Sequence, residues 1–232
     1  MVPEAALEDT DAGRVAKGDG WYVVNAKETR WYHADGRPAL CNLEGDAEFK
    51  QLGIHIVVLG PKEPMAMYHW EADQEDFLIV AGEGLLIVEG EERPLRQWDF
   101  VHCPPNTNHV IVGAGDGPCV VVAVGARERS VDNPDWGGYP VDETALRHGA
   151  GVREATTIPD EAYAHLTRRS PTRYLADSLG LRSRWNGCGP RGGSSTSAAS
   201  TSRPVASSAM RCGATTTRSS SSCTAVSAPS SS

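Results

Sequence analysis

The chain has 232 residues, 40% hydrophobic, 22% charged and 6% aromatic, which allows one large domain or one domain with appendages and excludes a protein that is apolar throughout. No apolar run approaches the roughly 20 residues that cross a bilayer, and the acidic start MVPEAALEDTDAG lacks the basic and apolar segments of a secretory signal, so neither membrane insertion nor export is expected. All 30 acidic residues fall within residues 1–177, which carry −14, while six later arginines give the remainder +6; so acidic a body repels phosphate backbones, and no nucleic-acid partner is expected.

In chain order, residues 1–48 read as an N-terminal extension. Its first 18 residues are polar and expected to lack order, and one or two strands follow between Trp21 and Glu48 around the Asp35-Gly36 turn signal. Residues 49–127 change character. The runs FKQLGIHIVVLG, EPMAMYHWEA, EDFLIVAG, GLLIVEG, RPLRQWDFVHCP, NHVIVGAG and PCVVVAVG are strand-length, rich in Val and Ile, and separated by Gly and Pro, the pattern of an all-β sandwich or barrel. Within residues 49–127 there is no GxGxxG or GxxxxGK loop, which argues against nucleotide-binding α/β folds.

Residues 128–179 read as a C-terminal arm. VDETALRHG suits two helical turns ended by Gly149, and PDEAYAHLTRR a short helix with Pro159 at its start. Residues 180–232 read as a disordered Ser-rich tail, with 15 serines and no acid in the last 42 residues. The same composition is what a GC-rich gene yields out of frame, which resequencing would test. Cys41, Cys103 and Cys119 lie in the body and Cys188, Cys212 and Cys223 in the tail, none with C-x-x-C spacing; a reducing, cytoplasmic setting is the simplest expectation.

The chemistry concentrates in Tyr68–Gly113. His69, Glu71 and Glu75 precede the Gly82-Glu83-Gly84 turn, and His109 follows Pro104-Pro105. On an extended strand Met65, Met67, His69 and Glu71 share one face. Two imidazoles and a carboxylate with positions left open suit a divalent metal that also binds a substrate.

This stretch resembles the cupin superfamily, whose first motif reads G-x5-H-x-H-x(3,4)-E-x6-G and whose second reads G-x5-P-x-G-x2-H-x3-N. His69-Trp70-Glu71, three residues, Glu75, six residues and Gly82 follow the first, and Pro104-Pro105-Asn106-Thr107-Asn108-His109 the second. Glu71 stands where the motif has its second His. Glu63 and Trp98 replace the opening glycines, Asn106 the inner one and Gly113 the final Asn. The left-handed backbone that the inner Gly supplies is one that Asn tolerates.

The resemblance implies a small cupin-like jelly-roll barrel with a helical arm, pairing as a homodimer with Trp21–Tyr32 at the interface. It implies a divalent metal (Mn, Fe, Ni or Zn, not distinguished) held by His69, Glu75 and His109, with Glu71 as a further ligand or as a general base. The implied function is a metal-dependent enzyme of isomerase or dioxygenase type acting on a small polar metabolite. The alternatives are a non-catalytic module binding a sugar-like ligand, and a metal-free structural barrel in which the two histidines are merely hydrogen-bonded; Glu71 is as well explained as a solvated strand-end acid. Cys103 is expected as a small core residue, His102 as exposed, and His33, His55, His148 and His165 as structural or surface residues. Glu89-Gly90-Glu91-Glu92-Arg93 reads as a solvated hairpin turn, and Met65, Met67, Phe77 and Ile79 as pocket lining or ordinary core.

Overall fold

Valine- and isoleucine-rich runs become strands wherever a turn lets them pair. The computed structural model describes residues 1–128 and 135–174, all within one unit, Met1–Gly189. The Ser-rich tail, with Cys188, Cys212 and Cys223, lies outside the described residues, as does part of the loop that opens the arm.

The first departure from expectation is at the start. Strands β1 (Ala6–Thr10) and β2 (Gly13–Lys17) form an antiparallel hairpin where no order was expected. The Thr10 hydroxyl closes the turn, donating to the Gly13 carbonyl at 2.6 Å, and Val15 and Ala16 are buried. Next come β3 (Trp31–Ala34) and β4 (Arg37–Asn42), joined through Asp35-Gly36 with Gly36 at φ 72°. The N-terminal 48 residues thus hold four strands rather than one or two, because short alternating stretches such as ALEDT and GRVAK are too polar to stand out before their partners are known.

The following runs supply β5 (Leu52–Leu59), β6 (Trp70–Glu71), β7 (Glu75–Ala81), β8 (Glu83–Val88), β9 (Glu91–Arg96), β10 (Phe100–Cys103), β11 (His109–Ala114) and β12 (Cys119–Ala126). The arm supplies β13 (Gly137–Gly138), helices α1 (Glu143–Arg147) and α2 (Pro159–Ala162), and β14 (Ser170–Thr172). Helix α1 starts as its sequence requires, with the Asp142 carboxylate accepting the Ala145 amide at 2.8 Å, and Pro159 opens α2.

Two of these runs differ from their reading. RPLRQWDFVHCP splits into β9 and β10 around Trp98, which takes the motif-glycine position and keeps a glycine-like φ of 75°, a geometry that costs a side-chain-bearing residue about 1–2 kcal/mol. EPMAMYHWEA forms no continuous strand. The Met67 amide donates to the Tyr163 hydroxyl at 3.1 Å and the Tyr68 amide to the Ala150 carbonyl at 2.6 Å, so the arm interrupts the ladder. Met65 accordingly packs with the central core, whereas Met67 joins Trp136, Tyr139, Val152 and Ala162.

The architecture is predominantly β. A seven-stranded sheet runs β10-β7-β12-β5-β4-β3-β14, a three-stranded sheet runs β11-β8-β9, and β1-β2 and β13-β6 form small pairs. No sheet closes on itself among the described residues. Gly82 carries the chain from the large sheet to the small one at φ 76°, and a Cβ there would lie 2.2 Å from the Pro118 carbonyl, so no other residue fits this corner. The core between the two sheets joins Val57, Leu59, Phe77, Ile79, Val101 and Val121 to Leu86, Leu95 and Ile111. The expected hairpin turn is observed, with Glu89 and Gly90 at φ 48° and 77° between β8 and β9.

Candidate metal centre

The cluster sits where β7 of the large sheet approaches β11 at the edge of the small one. Glu75 opens β7, and strand alternation aims it inward in line with Phe77 and Ile79. His109 opens β11 immediately after the Pro104–Thr107 turn, in which Asn106 adopts φ 68° and donates its amide to the Glu71 carbonyl at 2.7 Å. Asn106 therefore does the work of the missing glycine. His69 and His109 form a bridge, exchanging backbone hydrogen bonds of 3.1 and 2.8 Å, so two residues from distant motifs are held side by side with ring centroids 4.9 Å apart.

His69, Glu75 and His109 offer ligand atoms that all lie within 4.8 Å of one another. The Nδ1 atom of His69 lies 2.8 Å from the Met67 carbonyl and that of His109 3.0 Å from the Thr107 carbonyl. A carbonyl only accepts, so each Nδ1 carries the proton and each neutral ring presents a lone pair at Nε2. Both lone pairs face the same atom. Glu75 Oε2 lies 3.5 Å from His69 Nε2 and 3.2 Å from His109 Nε2. Glu75 Oε2 and His109 Nε2 are buried and lack a hydrogen-bond partner. Three electron-rich atoms turned on one another need a positive charge between them, from protons or from a cation.

The acid–base behaviour follows. Burial disfavours charge on His109, but the Cys103 thiol and the Glu75 carboxylate outweigh it and lift its pKa to about 9. His69 is raised as well: burial opposes, and Glu75 with Glu71 prevails. For Glu75 burial works upward, yet the two imidazoles hold it well below the carboxylate range. Glu71 is pushed up to about 7 by burial and then by the Glu75 charge.

Glu71 stands beside these three, its Oε1 3.7 Å from His69 Nε2, and its side chain is 30% exposed against 15% for Glu75. Beside Glu75, the inward row across the sheet continues through Gly125, where a Cβ would meet only Glu75 itself, to Gly53, which the Arg127 guanidinium covers. Cys103 is buried in the core, and His102 is exposed and paired with Asp76 at 2.7 Å. His148 finds a carboxylate far away in sequence, Glu92 at 2.9 Å.

Residues 55–125 match the family described as the cupin domain, so the two motif blocks and the strands between them fall inside the matched segment. That segment is a cupin domain.

Among solved structures, this cupin is similar to a sugar phosphate isomerase of the cupin superfamily from Silicibacter pomeroyi DSS-3, at 26% identity over 39% of this chain and 59% of that one, with a TM-score of 0.36. It is also similar to the DMSP lyase of Ruegeria pomeroyi DSS-3, at 23% identity over 40% and 50%, with a TM-score of 0.36. A third is the polyketide cyclase of Streptomyces resistomycificus, at 12% identity over 47% and 81%, with a TM-score of 0.42. The matched part spans less than two thirds of the first two proteins. No curated protein matches the sequence.

Sequence reasoning missed what backs the cluster. The Tyr139 ring lies 5.9 Å from that of His69 and stands edge-on to Tyr163 at 5.8 Å, while Trp136 adds a further edge contact. These aromatics come from the arm at no recognisable spacing, and only β13 pairing with β6 brings them there.

Proposed function

We propose that His69, Glu75 and His109 hold a divalent metal and that this cupin is a metal-dependent enzyme acting on a small polar molecule, with Glu71 as its general base. The observation that carries the reading is the convergence of two imidazole lone pairs on the buried, otherwise unpartnered Glu75 Oε2. Two nitrogens and a carboxylate suit Mn²⁺, Fe²⁺, Ni²⁺ and Zn²⁺ alike. When bound, the ion would polarise a carbonyl or hydroxyl oxygen of the substrate. The chain supplies the rest. Gly125 leaves room beside Glu75, the bridge between His69 and His109 keeps the donors aligned, and the aromatic backing of Tyr139 and Trp136 keeps water from that side.

Glu71 lies beside the cluster yet reaches solvent, the position from which a carboxylate takes a proton from a substrate and passes it to water. Of the two reaction types, this favours isomerase chemistry over oxygen chemistry. Glu71→Gln should keep a full complement of metal and lose on the order of 10²–10⁴-fold in turnover, measured in a metabolite screen with metal restored. A variant that turns over like wild type removes Glu71 from the mechanism. A metal-loaded wild type that binds a sugar-like ligand without converting it supports the binding-module alternative instead.

The partner in the assembly is proposed to be a second copy. Edge strand β10 exposes Phe100 (65%) next to Trp98 (69%), on the face where Ile54, Ile56, Leu78, Val80, Val122 and Val124 are only half-buried. A sheet face this apolar favours burial. Phe100→Asp should shift sedimentation from dimer to monomer; an unchanged sedimentation coefficient would place the interface elsewhere. Cytoplasmic residence is part of the same proposal, supported by the free, buried Cys41, Cys103 and Cys119. No helix among the described residues is long and apolar enough to cross a membrane.

A further inference from the structure

A second group of charges lies beside residues 64–67 and includes none of the residues that would hold a metal. A cavity of about 110 Å³ opens between the turn before β4, Met65–Met67 and the arm. Its lining holds two arginines, Arg37 and Arg169, and no carboxylate. Arg169 donates from Nε to the Pro38 carbonyl at 3.0 Å. Arg37 donates from Nη1 to the Thr167 carbonyl at 3.3 Å, and its guanidinium lies 5.1 Å from the centre of the Tyr163 ring. Neither guanidinium has a carboxylate within ion-pairing distance among the described residues. The acids nearby are engaged elsewhere: Glu63 accepts the Gly60 amide at 2.8 Å, and Asp160 pairs with Arg168 at 3.5 Å.

Two like charges facing one small cavity repel each other, and for lost hydration each has only one backbone carbonyl, with the Tyr163 ring in addition for Arg37. Their unused N–H groups are planar forks, the geometry that grips a carboxylate or a phosphate through paired hydrogen bonds. The volume equals that of about four water molecules, the size of such a group rather than of a whole metabolite. We infer that Arg37 and Arg169 form an anion subsite that takes the carboxylate or phosphate end of a small soluble molecule. Burial, followed by the charge of Arg37, lowers the Arg169 pKa to about 10, in keeping with a cation that lacks its counter-ion. Tyr163 ties the two regions together, since it lies under Arg37 while its hydroxyl accepts the amide of Met67, whose carbonyl orients His69.

The test uses the full chain, stripped of metal by chelation, titrated with inorganic phosphate and separately with acetate at an ionic strength fixed with chloride. Either oxyanion should raise the melting temperature above the chloride control and show saturable binding by calorimetry. Arg37→Gln and Arg169→Met should each weaken that binding by about tenfold or more, the loss expected for one charge-assisted hydrogen bond. His109→Ala should leave it unchanged, which separates this site from the metal reading. A wild type that responds to neither oxyanion beyond chloride, or variants that respond as the wild type does, would overturn the subsite. If Arg169→Met fails to fold, Arg37→Gln alone decides.

Discussion

His109→Ala should strip the protein of metal while leaving its sheets folded. His109 is the only nitrogen donor that the second motif brings to the cluster, and its Nε2 is buried with no hydrogen-bond partner to release. Removing the ring leaves a hole beside Phe77, whose ring centroid lies 5.2 Å away, at a cost of about 3 kcal/mol in stability. The β8–β11 ladder is made by backbone and survives the change. His109→Phe fills the same space without a donor and should also be empty of metal, which separates loss of a ligand from loss of fold. Elemental analysis of untagged protein gives the answer, and equal metal in wild type and both variants would leave a purely structural role for the cluster. The same site should show proton competition. The metal-free pKa of His109 is about 9, so a proton occupies its Nε2 at neutral pH and must leave on binding, and the raised pKa of His69 adds to the competition. Affinity should therefore rise with pH up to about 9 and fall steadily below it, with proton release visible as a buffer-dependent binding enthalpy. Retention that stays flat from mildly basic to mildly acidic pH would exclude histidine ligation.

Arg127→Ala should cost about 3–5 kcal/mol of stability, the largest loss expected from a single polar substitution in this fold. Arg127 grips the Glu44 carboxylate with both terminal nitrogens at 2.5 and 3.2 Å and also donates to the Phe49 carbonyl at 2.9 Å. Glu44 is 5% exposed, so the variant leaves a carboxylate inside the protein with only the Phe49 amide, at 3.4 Å, to bond it. The guanidinium lies directly on Gly53, where a Cβ would come within 3.1 Å of Nε, in the same inward row as Glu75. The ion pair thus joins residues 44–49 to the end of β12 at the rim of the metal cluster. Denaturant melts read the effect. Removing both charges together with Glu44→Leu and Arg127→Met should cost less than Arg127→Ala alone, because the penalty is the uncompensated charge rather than the lost bond. A loss below about 1 kcal/mol in the single variant would mean that water reaches Glu44 and the pair is an ordinary surface bridge.

The strands between Leu52 and Ala126, the corner at Gly82 and the turn through Asn106 are legible in the sequence because each depends on local chemistry. Alternation decides which side chains face inward, and a left-handed backbone position admits few residue types. Motif spacing likewise singles out His69, Glu75 and His109, since residues at fixed offsets on a strand and its following turn return to one place however the rest of the chain packs. The hairpin Ala6–Lys17 and strand β14 were invisible because short polar strands are stabilised by the partner they find, not by their own composition. The broken ladder at Met67, the aromatic wall of Trp136 and Tyr139, the Glu44–Arg127 pair and the two arginines of the cavity each join segments between 66 and 132 residues apart or are set by such a junction. Composition and spacing determine what a strand presents to its own neighbours. Which arginine is left without a carboxylate, and which tyrosine stands behind an imidazole, is decided only when distant segments compete for the same volume, because charge and packing act through space and not along the chain.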